Sequence, residues 1–407
     1  MTSLIAVLID LDDTLLGNQM ETFMPGYLKA LSSAVPGIPA NTLVHELMTG
    51  TGKMLKKTGF KDTLADTFNN HFYPALGVQK EDLLFSIDSF YQKTFPTLQA
   101  LTHPKPESRT FVTALHDLGF PMVVATNPLF PKAAQYHRLS WAGFPDADDL
   151  FLDITSFENY HFCKPHPEYY AEILLRNGLF NLPVVMIGNS LEDDILPAEQ
   201  LGITTYWINE SGQKHADQSE LSDAGTLSDA LEWIKRLEGK ITPLQWNRDG
   251  SQQVINLKVT PAFFDGLLLG KSHISTSNND SSCGLCDILQ HLVDGDKQIN
   301  IPRVKQFYTE IKPLITSMDP ETLSPAQTKQ EDFQQILSQF YFTRSELLSL
   351  IHNAPDEVRN RQGIHAIFGP TSFLDIVDFI AIHDRNHIQQ ALELLTDKKI
   401  IHIPGLR

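Results

Sequence analysis

The sequence predicts an α/β protein built on a parallel sheet, with a helical insert near its N-terminus and a second, all-α four-helix bundle after it. Three observations carry this. An apolar strand opens the chain, short β-rich runs then alternate with amphipathic stretches to about residue 240, and beyond about 256 the apolar positions recur only at helical spacing. With 407 residues, 42% of them hydrophobic, the chain has material for two cores.

The first strand is Leu4-Ile5-Ala6-Val7-Leu8-Ile9, which runs into Asp10-Leu11-Asp12-Asp13-Thr14-Leu15 and so carries carboxylates at its C-terminal end. Residues 18–104 read as the helical insert, with apolar positions at Tyr27-Leu28-Leu31 and Leu83-Leu84-Ile87-Phe90-Tyr91. Alternation resumes at 105–240: helices near 107–118, 131–142 and 192–201, strands at 122–125, 184–187 and 204–208, and a closing helix at 227–237. A polar stretch, 209–226, reads as loop. Residues 1–17 and 105–240 thus form one core, 241–256 a linker, and 257–407 the bundle, with helices near 259–270, 283–293, 302–316, 329–353 and 371–396 and loops at 275–282 and 318–327.

Composition narrows the function. A formal net charge of -17 argues against nucleic acid as a partner. No apolar run approaches the roughly 20 residues of a membrane-spanning helix, and the first residues lack the basic lead and cleavage site of a secretory signal. Three cysteines cannot form a disulfide framework, so a reducing cytoplasm is the expected location.

Asp10 and Asp12 sit where the chain turns out of a strand, so both carboxylates can face one site. Phosphoryl transfer through a covalent intermediate needs a carboxylate nucleophile, a second carboxyl for the leaving-group proton and a cation over the phosphate oxygens. An acidic turn capping a strand would show the same letters. Further along, Val123-Val124-Ala125-Thr126-Asn127 ends a strand with a hydroxyl and an amide suited to phosphate oxygens, although Thr126 could equally cap a helix. Lys164, in Phe162-Cys163-Lys164-Pro165-His166-Pro167, offers a point charge, or is simply a surface lysine. Val184-Val185-Met186-Ile187-Gly188-Asn189-Ser190-Leu191-Glu192-Asp193-Asp194 sets acidic groups at a helix start, a hard-cation site or a dipole-favoured turn.

These four segments, in this order, resemble the haloacid dehalogenase superfamily, whose members are mostly phosphatases, over about 240 residues. The resemblance implies a Rossmann-like parallel sheet with the insert as its cap, and a magnesium-dependent hydrolase of a small phosphorylated substrate. It makes Asp10 the nucleophile, Asp12 the acid/base, Thr126, Asn127 and Lys164 the phosphate-binding groups, and Asp10, Asp12, Asn189 and Asp194 the Mg2+ ligands. Asp12 itself favours phosphate over halide, because dehalogenating members lack it. One departure stands out: the usual Gly-Asp-Ser is Gly188-Asn189-Ser190, an amide in place of a carboxylate, for which Asp193 could compensate.

In the second domain His383 and His387 stand at i and i+4 on one helix, and His291 lies on another apolar helix. Buried, hydrogen-bonded histidines would show the same spacing. Phe368-Gly369-Pro370-Thr371-Ser372-Phe373-Leu374 leading to His383-Asp384-Arg385-Asn386-His387-Ile388-Gln389-Gln390 resembles the DinB-like metal-binding bundles. That likeness implies a divalent metal, Zn2+ or Ni2+ among the candidates, on His291, His383 and His387. Some relatives are thiol-dependent transferases, which leaves metal-dependent thiol transfer as an alternative activity, and docking or homodimerisation as a non-catalytic one. Cys283-Gly284-Leu285-Cys286 lacks both a second Cys pair and a thioredoxin-like context, and reads as chance spacing.

Overall fold

The computed structural model describes residues 4–209, 211–215, 220–247, 249–269, 281–316 and 332–397. The chain divides into two compact units, Met1–Gln245 and Trp246–Arg407.

In the first unit the strands are β1 (Ala6–Ile9), β2 (Leu16–Gly17), β3 (His103–Pro104), β4 (Met122–Val124), β5 (Asp153–Ile154), β6 (Val184–Gly188), β7 (Thr204–Ile208) and β8 (Asp223–Gly225). Six of them make one parallel sheet in the order β5-β4-β1-β6-β7-β8. Their near-continuous apolar letters follow from burial on both faces, as in Val184–Gly188, every residue of which is buried. β1 lies centrally, between β4 and β6, with Ile9 beside Val124 and Ile187. Residues just after these three strands therefore emerge side by side at one sheet edge, where open α/β sheets place their chemistry. Two short strands within the expected loop and connecting stretches, β5 and β8, carry too few apolar residues to show as strands in sequence.

Between β2 and β3, which pair as a two-stranded antiparallel neck, lies a helical cap: Met20–Ala34, Ala40–Leu55, Leu64–Leu76 and Lys80–Ser89, then a π-helical turn and a 3-10 helix to Leu101. Aromatic rings join cap to core. Phe95 stacks on Trp141 with centroids 5.3 Å apart, and Tyr27 meets Phe130 edge-on at 5.3 Å.

The second unit contains helices Ser251–Leu269, Ser281–Gly295, Ile301–Thr309, Phe333–His352 and Phe373–Asp397. An all-α reading needs correction, because a three-stranded sheet, β9 (Leu314–Ile315), β10 (Gln362–His365) and β11 (Gly369–Ser372), accompanies them in the order β11-β10-β9. These strands are two to four residues long and rich in Gly, Pro and Ser, too short for a two-residue period to show. The helix expected to 316 stops at Thr309, ahead of Pro313, whose ring cannot continue it. The first bundle helix begins at Ser251, inside the stretch read as linker, with Asp249 accepting from the Ser251 N–H at 2.9 Å. Apart from Ser281 and Ser282, which open a helix, the loops expected at 275–282 and 318–327 lie outside the described residues. Among the described residues no helix is long and apolar enough to cross a membrane.

Candidate active site and histidine cluster

Asp10 directly follows β1, its N–H donating to Ile187 O at 2.9 Å, so its side chain emerges at the sheet edge beside the β6 loop. Lys164 reaches it from the segment before helix Pro167–Arg176: Nζ lies 2.7 Å from Asp10 Oδ1 and 2.5 Å from Asp194 Oδ1. All three side chains are buried. Asp194 Oδ2 accepts from the Ser190 N–H at 2.9 Å, and a Cβ on Gly188 would sit 2.3 Å from that carboxylate, so only glycine fits there. Burial, reinforced by the Asp194 and Asp12 carboxylates, pushes Asp10 up to about 7 against the pull of Lys164. Burial alone would lower Lys164, but its two carboxylate partners hold the ammonium well above its ordinary value.

Thr126 and Asn127 follow β4. Two hydroxyls, Thr155 Oγ1 and Tyr169 OH, each donate to Thr126 O at 2.7 Å and fix its backbone. The Thr126 hydroxyl and Asn127 Oδ1 are buried and have no partner among the described residues. Buried polar atoms are normally satisfied, so an orphaned pair beside Asp10 marks a place where a polar ligand belongs. Asn189 follows β6; its Oδ1 accepts from Thr14 Oγ1 at 3.4 Å and its backbone carbonyl from Trp207 Nε1 at 2.9 Å. Asp193 lies partly open, its N–H bonded to Ser190 Oγ at 3.1 Å.

Sequence reasoning missed two residues that hold Asp12. Asn18 Nδ2 donates to Asp12 Oδ1 at 2.8 Å, and the buried Arg138 guanidinium pairs with the same oxygen. A signal existed: Arg138 shares the inward face of its helix with Ala134, Leu139 and Trp141, where a cation needs a partner.

The oxygen donors suit a hard cation. Asp10, Asp12 and Asp194 bring three carboxylates to a site with two cations, Lys164 and Arg138, and Asn189 adds an amide oxygen.

In the second unit, His291 lies on helix Ser281–Gly295 and His383 and His387 one turn apart on Phe373–Asp397. Their Nε2 atoms converge, 3.1 Å from His291 to His383 and 3.1 Å from His387 to His383, and one ligand atom from each lies within 4.8 Å of the others. Burial, aided by the neighbouring imidazoles, lowers His383 to about 4, so its ring is neutral near pH 7. His387 Nδ1 is held by Gln390 Oε1 at 2.8 Å. Cys286 is in no disulfide, and the Cys283 side chain lies outside the described residues.

Residues 6–202 match the family model for haloacid dehalogenase-like hydrolases. Curated relatives include the glyceraldehyde 3-phosphate phosphatase of Methanocaldococcus jannaschii, 26% identical over 57% of this chain and 97% of its own. Another is the phosphoglycolate phosphatase of Vibrio vulnificus, 23% identical over 55% of this chain and 92% of its own. A solved structure, a HAD phosphatase from Thermococcus onnurineus, aligns at 21% identity with 57% of this chain and 98% of its own, at a TM-score of 0.38. The first unit is therefore a haloacid dehalogenase-superfamily hydrolase domain, and the protein is an enzyme.

Proposed function

We propose that the first unit hydrolyses a small phosphomonoester through an aspartyl-phosphate on Asp10. The observation that carries this is the Asp10–Lys164–Asp194 chain of bonds beside the unpartnered Thr126 hydroxyl, which together supply a nucleophile and donors for an anion. Relatives that act on glyceraldehyde 3-phosphate and phosphoglycolate support a small phosphorylated metabolite.

In the first half-reaction an Asp10 carboxylate oxygen bonds to phosphorus as the ester P–O bond breaks, and the Asp12 carboxyl passes its proton to the departing oxygen, releasing the alcohol. Asp12, now a carboxylate, then takes a proton from water, whose oxygen attacks phosphorus. The Asp10–phosphate bond breaks, yielding inorganic phosphate and the starting carboxylate. Lys164, Thr126 and Asn127 hold the phosphate oxygens throughout. Asp10, the Asp12 carbonyl, Asn189 and Asp194 would hold Mg2+, which when bound neutralises phosphate charge. The aromatic contacts between cap and core support a cap that excludes bulk water.

Phosphate release from a panel of phosphomonoesters with magnesium tests this, comparing the wild type with Asp10→Asn. Equal release by both would sink the assignment.

A second reading concerns the other unit: His291, His383 and His387 form a three-imidazole site for a divalent transition metal, in a bundle of the DinB-like kind. Convergence of their Nε2 atoms, with one ring neutral by burial, supports it. Metal analysis of the full chain against His383→Ala is the check. Unchanged metal content would remove this reading.

A further inference from the structure

Asp12 is held entirely through one oxygen. Asn18 Nδ2 and the Arg138 guanidinium both meet Oδ1, and among the described residues no hydrogen bond or ion pair falls on Oδ2. We propose that Arg138 and Asn18 are positioning residues that lock Asp12 by Oδ1 and reserve Oδ2 for proton exchange with the leaving group. This rests on the phosphatase reading above.

Both anchors are themselves fixed. Arg138 is 1% exposed on helix Lys132–Trp141, donates from Nη1 to Gln135 Oε1 at 2.8 Å, and lies 5.2 Å over the centroid of the Phe130 ring. Asp12 is its only carboxylate partner among the described residues. A guanidinium this buried would carry a large desolvation penalty without that carboxylate, so the pair constrains both members. The Gln135 bond and the Phe130 ring set the guanidinium plane and so fix where Nη2 meets Oδ1, which a lysine's flexible stem would not.

Asn18 is fully buried where β2 leads to the first cap helix, and its backbone N–H donates to Asp13 Oδ1 at 2.9 Å. The Asp12 carboxylate is thereby tied to the junction of cap and core on one side and to the core helix on the other. A carboxyl that rotated freely would present Oδ2 to the ester oxygen only part of the time. Proton transfer demands that alignment, whereas attack by Asp10 does not.

A leaving-group comparison separates this role from a merely structural one. p-Nitrophenol departs readily as its anion, while an alkyl alcohol needs the proton from Asp12. With magnesium, kcat/KM, which reports steps up to phosphoenzyme formation, is measured for p-nitrophenyl phosphate and for an alkyl phosphate. In Arg138→Met the alkyl ester is expected to lose roughly 10- to 100-fold more than the aryl ester, a part of what general acid catalysis supplies. Asn18→Ala, which keeps the ion pair, moves the same ratio several-fold, and Arg138→Lys recovers part of it. Equal losses on both esters in Arg138→Met and Asn18→Ala, or no loss in either, would overturn the proposal. A wild type that releases no more phosphate than Asp10→Asn from either ester overturns the phosphatase reading itself, a distinct failure.

Discussion

Glu172 anchors His161 from within the core: its Oε1 lies 2.7 Å from His161 Nδ1, and both side chains are fully buried. The same carboxylate accepts from the backbone N–H of His161 at 3.0 Å and of Phe162 at 3.2 Å. Three residues after His161 comes Lys164, so this carboxylate sets the path of the segment that delivers the ammonium to Asp10.

Glu172→Leu is therefore expected to lose stability and activity together. Each buried donor left without its acceptor costs about 1–3 kcal/mol. The backbone donors of His161 and Phe162 would be left without their acceptor. Thermal unfolding and kcat/KM on a phosphomonoester check this, and a variant as stable and active as the wild type would show that Lys164 is held by other means.

The carboxylates were legible in sequence because each follows a strand or opens a helix, and a parallel sheet with β4, β1 and β6 adjacent brings such positions together, whereas Lys164, in an irregular stretch before helix Pro167–Arg176, was legible only through the order of the four segments. Arg138, Asn18 and Glu172 were not legible in that way. Arg138 and Glu172 stand on apolar helix faces, which shows that each needs a partner but not which one, and Asn18, between Gly17 and Gln19, gives no sign of its bond to Asp12. In the second unit, His383 and His387 announce themselves by spacing, whereas β9, β10 and β11 are each too short to carry a period.

Asn189→Asp would restore a carboxylate at the sheet edge. A fourth acidic group beside Asp10, Asp12 and Asp194 strengthens attraction for a hard cation and increases repulsion when none is bound. The magnesium concentration for half-maximal phosphate release is expected to fall several-fold, and the unfolding temperature in EDTA to fall as well. An unchanged magnesium dependence would place Asn189 outside the metal's coordination.

Cys163 immediately precedes Lys164 and is fully buried, with its Sγ donating to Met54 O at 3.4 Å. Burial pushes the thiol up to about 12, more than the nearby Lys57 pulls it down. Since the thiolate is the reactive form, the thiol stays inert well below that pH. Iodoacetamide at pH 8 is expected to leave Cys163 unmodified in the folded protein and to alkylate it in denaturant, as read by peptide mass spectrometry. Rapid native labelling would mean that the cap opens over this segment.

Arg344 lies fully buried in the second unit between two acids, its Nε 2.8 Å from Asp296 Oδ2 and its Nη2 3.2 Å from Asp384 Oδ1, while Nη1 donates to Leu257 O at 2.9 Å. Asp384 adjoins His383, so this triad braces the helix that carries two of the clustered imidazoles. Arg344→Met would leave two buried carboxylates without a counter-charge, a loss of about 3–5 kcal/mol near pH 7. The pH dependence has a definite sign. Burial already raises Asp296 above its ordinary value, against the pull of Arg344, and removing the guanidinium raises it further. A carboxyl whose pKa is higher folded than unfolded binds more protons in the folded state. Its contribution to stability is greatest at low pH and is lost as pH rises through the folded value. The deficit of Arg344→Met relative to the wild type should therefore narrow between pH 7 and pH 5, measured by thermal unfolding at both. A deficit independent of pH would show that lost packing around the guanidinium, rather than unpaired charge, accounts for the effect.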